Sequence, residues 1–249
     1  MKKLAGKTAL ITGGNSGIGL ATAKLFREHG ANLVITGRDK ESLAKARSAL
    51  SDDVIAIQSD TGKLADIETL MQQIQKQFGQ LDILFVNAGI AHAAPFEFVT
   101  EQQFDSMVTT DFKGAFFNIQ KALPLLTKNS SIIVTTSITN QMGTPNLSIY
   151  AACKAALRSL VQSLGLELIG RGIRINAISP GPITTPMYGR LGLPNEVEKG
   201  LKAEITNKSP IKRFGTPEEV AKAALFLATD DSSYIVGDEI VVDGGMSLL

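Results

Sequence analysis

A doubly wound α/β fold, with a mostly parallel seven-stranded sheet and helices on both faces, follows from three observations on this chain of 249 residues. Short apolar runs alternate with helical patterns along the whole length. Glycine and polar residues recur directly after those runs. No internal repeat, low-complexity tract or interdomain linker breaks the alternation. Strands joined by helical crossovers pair in parallel with right-handed connections. One domain spanning 1–249 is expected, because this length does not force a split.

The elements read off in order. Ala9-Leu10-Ile11 is a short apolar run with the look of a buried strand at 8–11. Glycines after it mark a tight turn, and the amphipathic pattern that follows, ended by Gly30, predicts a helix over 17–29. Further strands are expected at 32–36, 54–58, 83–86, 131–136, 174–178 and 239–242. Helices are expected between them at 40–50, 63–78, 101–126, 148–169 and 217–229. The stretch 182–210 carries several Gly and Pro residues and reads as a loop with a short helix. A loop of that length usually covers a site.

Composition narrows the class. A hydrophobic fraction of 44% and a charged fraction of 20% are those of a soluble globular protein. A net charge of +1 with scattered Lys and Arg leaves no electrostatic footprint for nucleic acid or an anionic membrane. No apolar run approaches the ~18 residues of a membrane span. Met1-Lys2-Lys3 leads into the first strand without an apolar signal core, and the single cysteine, Cys153, fits a reducing compartment, so a cytoplasmic location is expected. Cys153 reads as packing. His29, near a helix C-terminus, fits dipole compensation, and His92 lies in a loop; neither has the partners a metal site needs.

Two motifs carry chemistry. In Thr12-Gly13-Gly14-Asn15-Ser16-Gly17-Ile18-Gly19, a strand, a glycine turn and a helix aim backbone N–H groups and a helix dipole at one point, which suits a pyrophosphate. The spacing Gly13-x-x-x-Gly17-x-Gly19 is not the G-x-G-x-x-G form. The second motif is Tyr150-x-x-x-Lys154, with Ser137 thirteen residues upstream of the tyrosine. Residues i and i+4 share a helix face. The ammonium then favours the phenolate, typically by about 1 to 3 pKa units, and a tyrosine so tuned can act as a general acid or base.

With Asn87-Ala88-Gly89, Pro180-Gly181 and Asp243-Gly244-Gly245 added in this order, the chain resembles the short-chain dehydrogenase/reductase family over essentially its whole length. The resemblance implies a Rossmann-type domain, a nicotinamide cofactor and a Ser137, Tyr150 and Lys154 catalytic set. In it Tyr150 donates the proton, Ser137 hydrogen-bonds the same substrate oxygen, and Lys154 holds the nicotinamide ribose and depresses the Tyr150 pKa. Ile183 and Thr185 would contact the carboxamide. Site residues cluster after each expected strand: Gly37-Arg38 after the second, Asp60-Thr61 after the third, Asn87 to Gly89 after the fourth, Ser137 after the fifth and Pro180 to Thr185 after the sixth.

Cofactor choice turns on Thr36-Gly37-Arg38-Asp39. By resemblance the acid that would select NAD is replaced by Gly37, and Arg38 follows, a fork suited to the 2′-phosphate of NADP(H). Asp39 stands at the generic offset for a ribose acid, and a solvated loop charge is the alternative for Arg38. Where the family commonly has asparagine in a proton relay, this chain has Asp111, which accepts from water but donates nothing when ionised. A helix cap or surface acid is the alternative for Asp111. The expected activity is an NADP(H)-dependent carbonyl reductase or alcohol dehydrogenase acting on a small molecule. A 3-oxoacyl-thioester reductase is the alternative within the family, and a non-catalytic NADP-binding regulator the alternative outside it. A homotetramer built on the helices after the fourth and fifth strands is implied by the resemblance.

Overall fold

The computed structural model describes residues 2–249. Seven strands form one sheet: β1 (Thr8–Ile11), β2 (Asn32–Gly37), β3 (Ile55–Gln58), β4 (Leu81–Val86), β5 (Leu126–Thr135), β6 (Arg174–Pro180) and β7 (Glu239–Val242). Their order is β3-β2-β1-β4-β5-β6-β7, and every ladder is parallel. The order reverses between β1 and β4, which places a crevice at their carboxyl ends.

The helices are α1 (Gly17–Glu28), α2 (Lys40–Leu50), α3 (Leu64–Phe78), α4 (Glu101–Met107), α5 (Gly114–Ala122), α6 (Ser148–Ile169), α7 (Asn195–Lys208) and α8 (Pro217–Ala228). Two cores sandwich the sheet. On one face Leu10, Leu84, Ile132 and Ile175 meet Leu70 of α3, Ile119 of α5 and Leu157 of α6. On the other, Ile11, Ile35, Phe85 and Ile133 meet Phe26 of α1, Leu43 of α2 and Val220 of α8. Neighbours such as Leu10 and Ile11 point to opposite faces, as strand geometry requires. Because both faces are covered, the strands read as continuous apolar runs rather than alternating ones.

Three boundaries differ from the sequence expectation. The helix expected over 101–126 is interrupted by a π-helical segment, Val108–Lys113, and ends at Ala122. Leu126 instead opens β5, paired opposite Leu81, so β5 begins well before residue 131. The pull is burial: Leu125 and Leu126 are 5% and 4% exposed. The 182–210 stretch contains more helix than expected, since α7 has 14 residues. None of its residues is buried, and it is supported by i,i+4 pairs of Glu198 with Lys202 and Glu204 with Lys208. Among the described residues no helix is long and apolar enough to cross a membrane.

Candidate active site

The turn after β1 is shaped by close approach. Gly13 and Gly17 have φ of 64° and 51°, and a Cβ on Gly19 would lie 2.3 Å from the Gly13 carbonyl oxygen. Only glycine fits there. Ser16 caps α1 with extended backbone and makes no side-chain cap bond. The first-turn N–H groups, at Gly17, Ile18 and Gly19, have no helical carbonyl to bond and face the crevice end of the sheet.

The end of β2 is built against this turn. A Cβ on Gly37 would come within 2.7 Å of the Asn15 side chain, whose amide donates to the Ser42 hydroxyl at 2.7 Å. Asp39 is the N-cap of α2: its carboxylate accepts from the Ser42 N–H at 2.8 Å, a bond that holds its pKa below the usual range. Asp39 is thus occupied as a cap. Arg38 is exposed, and its side chain pairs with no carboxylate among the described residues.

The remaining strand ends converge on the same crevice. Thr12 Oγ1 accepts from the N–H groups of Asn87 and Ala88 at 2.9 and 3.0 Å, tying β1 to the segment after β4. After β3, Asp60 accepts from the Gly62 N–H at 3.0 Å and Thr61 from Asn118 at 2.7 Å. After β6, Pro180 and Gly181 lie against Asp243, where a Gly181 Cβ would meet the Asp243 Cβ at 2.6 Å. Ile183 bridges to Gly215, and Thr185 packs on the Gly17 turn.

At the centre stands a polar cluster. Lys154 is buried on α6; its ammonium donates to the Thr135 carbonyl at 3.1 Å, lies 3.5 Å from an Asp111 carboxylate oxygen and sits 5.3 Å from the centre of the Tyr150 ring. Asp111 belongs to the π-helical segment. A π turn inserts an extra residue, and such turns gather at functional sites. Asp111 Oδ1 accepts from the Ile90 N–H at 2.8 Å, while Oδ2 is buried without a hydrogen-bond partner. Gly89 leaves room for the pair: a Cβ there would lie 3.1 Å from Asp111 and 3.5 Å from Lys154. Asp111 is therefore neither a cap nor a surface acid.

The electrostatics depart from the simple expectation for Tyr150. Burial pushes its phenol up, Lys154 pulls it down, Asp111 pushes it up and the Ser137 hydroxyl beside it pulls it down; the net direction is upward. Lys154 alone would depress the phenol, but burial outweighs it and Asp111 cancels part of its field. For Lys154, burial lowers the pKa, yet Asp111 and Tyr150 more than offset this and keep it a cation. Burial likewise raises the Asp111 carboxyl, against the pull of Lys154. Cys153 packs with Met107 and Ile149, and burial, then Asp111, push its thiol up to about 11.

Some contributors were not singled out from the sequence. Tyr188, in the loop before α7, stacks edge-on to Phe214 at 5.2 Å, and burial, then Tyr150, push its phenol up. Between this loop and α7 lies a cleft of about 420 Å³ lined by Thr184, Thr185, Tyr188, Lys202 and Thr206. The sequence marks 182–210 as a stretch that covers a site, but it does not single out Tyr188 or the cleft between it and α7. His92 lines a small hollow with Gln103, Asn146 and Ile149, the residue before Tyr150.

Comparison with known proteins decides the family. Residues 13–247 match a family model described as Enoyl-(Acyl carrier protein) reductase. An oxidoreductase from Sarocladium schorii, asL5, is 43% identical over 250 residues, covering 99% of this chain and 98% of the relative. The chain belongs to the short-chain dehydrogenase/reductase family. A 3-oxoacyl-[acyl-carrier-protein] reductase, FabG, from Thermotoga maritima is 36% identical, covering 98% of this chain and 99% of the relative. The crystal structure of levodione reductase superposes with a TM-score of 0.92 at 32% identity, covering 98% of this chain and 99% of that one. The protein is thus an oxidoreductase of a family that uses nicotinamide cofactors.

Asp111 raises both of its neighbours, so its removal has a defined sign. In Asp111→Asn the Tyr150 phenol loses a raising influence, and its phenolate should form at lower pH than in the wild type. Ultraviolet absorbance titration, with Tyr150→Phe as the blank, reads this directly. An unchanged titration would mean that Asp111 does not act on the tyrosine.

Proposed function

We propose that the protein moves a hydride between NADP(H) and a small carbonyl or secondary alcohol substrate, with Ser137, Tyr150 and Lys154 as the catalytic set. The observation that carries this reading is one buried ammonium, Lys154, held beside a phenol and a serine hydroxyl at the carboxyl ends of the central strands. The cradle fits a dinucleotide: the glycine turn leaves no room for side chains, and the N–H groups of Gly17, Ile18 and Gly19 suit a pyrophosphate. Asn15, Ser16 and Gly13 would complete that contact. Gly37 and Arg38 would meet the 2′-phosphate, Asp60 and Thr61 the adenine end, and Asn87, Ala88 and Gly89 the adjacent ribose. Pro180, Gly181, Ile183 and Thr185 would line the carboxamide.

A bound nicotinamide would supply or take the hydride. In the reductive direction Tyr150 gives its proton to the oxygen of the developing alkoxide. Ser137 holds the same oxygen and favours its negative charge. Lys154 keeps a positive charge behind the phenol, and Asp111 keeps that charge in place. Asp111 Oδ2, which faces the Lys154 ammonium at 3.5 Å, can accept a hydrogen bond but cannot pass a proton on while ionised. The cleft between Tyr188 and α7 has room for a small molecule, and Thr185 on its wall packs on the Gly17 turn.

The Thermotoga maritima relative favours one second reading, reduction of a 3-oxoacyl thioester. Faster turnover of 3-oxo thioesters than of simple ketones would select it. We also propose a cytoplasmic location and a homotetramer, the latter supported by Phe104, Phe116, Leu166 and Ile169, apolar side chains left exposed on α4, α5 and α6. A light-scattering mass four times that of the chain is expected; a monomer mass would contradict it.

Two substitutions test the assignments. Tyr150→Phe should keep NADPH binding while turnover falls by about two to four orders of magnitude, the usual share of a general acid. Near-normal turnover would remove Tyr150 from the chemistry. Arg38→Ala should weaken NADPH far more than NADH in fluorescence titrations, because only NADPH carries the 2′-phosphate. Equal weakening would make Arg38 a surface residue and leave the cofactor preference elsewhere.

A further inference from the structure

Glu239 opens β7, outside every motif so far used, yet its side chain is 6% exposed and fully engaged. Its Oε1 accepts from the Thr136 hydroxyl at 2.5 Å and from the Asn140 side-chain amide at 2.7 Å. Its Oε2 lies 3.3 Å from Arg158 Nε. Thr136 and Asn140 flank Ser137 in the chain, and the segment between them is closed by two more bonds. The Thr139 N–H donates to Ser137 Oγ at 3.3 Å, and the Asn140 N–H to the Ser137 carbonyl at 3.0 Å.

Arg158 follows Tyr150 and Lys154 at intervals of four on α6, so the three share one helix face. Lys154 ties that face to the Thr135 carbonyl, and Arg158 ties it to Glu239. One carboxylate therefore spans the two elements whose separation sets the distance from the Ser137 hydroxyl to the Tyr150 phenol. We infer that Glu239 is a positioning residue, a clamp that holds the Ser137 loop at its working distance from α6. This inference rests on the catalytic reading of Ser137 and Tyr150 given above.

The clamp acts through geometry. Displacing a reacting group by about 1 Å can cost on the order of 100-fold in rate. Glu239→Ala removes all three anchors at once. Glu239→Gln keeps a carbonyl oxygen for Thr136 and Asn140 and loses the charged acceptor opposite Arg158, where an amide NH2 now stands. The alanine variant should therefore lower kcat by about 10- to 100-fold, with NADPH affinity unchanged within about twofold. The glutamine variant should recover most of that loss.

Four proteins test it: wild type, Glu239→Ala, Glu239→Gln and Ser137→Ala. Each is assayed with NADPH against cyclic ketones, 1,2-diketones and 3-oxo esters. Each is also followed by amide hydrogen exchange over residues 136–141, which needs no substrate. The clamp predicts faster exchange at Thr139 and Asn140 in Glu239→Ala, restoration in Glu239→Gln, and unchanged exchange in the Gly13 to Gly19 turn. Unchanged exchange, or faster exchange with full kcat, overturns it. Loss of activity in Ser137→Ala with full activity in Glu239→Ala overturns the clamp alone. Full activity in Ser137→Ala overturns the catalytic reading instead, while exchange still reads whether Glu239 orders the loop. Should Glu239→Ala not fold, Glu239→Gln against Arg158→Met carries the comparison; no slowing in Arg158→Met then overturns the proposed helix tie.

Discussion

An ammonium with almost no exposure must be compensated, and much of the site follows from how Lys154 is compensated. Leaving such a charge without partners is among the most costly arrangements a protein interior can hold. Here the partners come from two other elements: the carboxylate of Asp111 on the π-helical segment and the carbonyl of Thr135 at the end of β5. That requirement brings α6, the interrupted helix after β4 and the fifth strand to one point. A glycine at position 89 suits this pairing, since a Cβ there would lie only 3.1 Å from the Asp111 carboxylate. Tyr150, one turn before Lys154, is thereby presented to the crevice without needing an anchor of its own.

The opposite side of the crevice obeys a steric constraint rather than an electrostatic one. Gly13, Gly19 and Gly37 sit where backbone or a neighbouring side chain occupies the Cβ position. The turn can then tighten until the helix N-terminus faces the space next to β2. The two constraints meet at Asn87, whose amide donates to the Thr12 carbonyl at 3.2 Å and whose carbonyl oxygen accepts from Thr135 at 3.3 Å. The phosphate-binding end and the proton-transfer end are thus joined through three adjacent strands.

Much of this was legible in the sequence, because strand runs, the glycine turn and the i,i+4 pair are local patterns. The positions at the strand ends converge as parallel topology requires. The π-helical segment was not legible: its residues continue the helical pattern of 101–122, and the extra residue shows only in where Asp111 points. The early start of β5 was hidden because 127–129 are exposed and polar, while Leu126 is held by pairing with Leu81. Helix α7 buries nothing, so hydrophobic periodicity could not announce it. Glu239 gave no sign either, since its partners lie about a hundred residues away and meet it only through the β6 and β7 pairing. The Tyr150 pKa reversed for a related reason. Spacing shows which charge is near, but burial depends on the whole fold.

The central claim is that this polar cluster performs chemistry on a carbonyl rather than merely closing a nucleotide site. The most direct measurement follows deuterium from NADPH labelled at C4, incubated with the protein and the carbonyl panel, by mass spectrometry of the alcohols formed. The account predicts label on the carbinol carbon with at least one carbonyl class, and its loss when Lys154 is replaced by methionine. Tight NADPH binding with no label transferred to any class would contradict it and leave a binding protein in place of an enzyme.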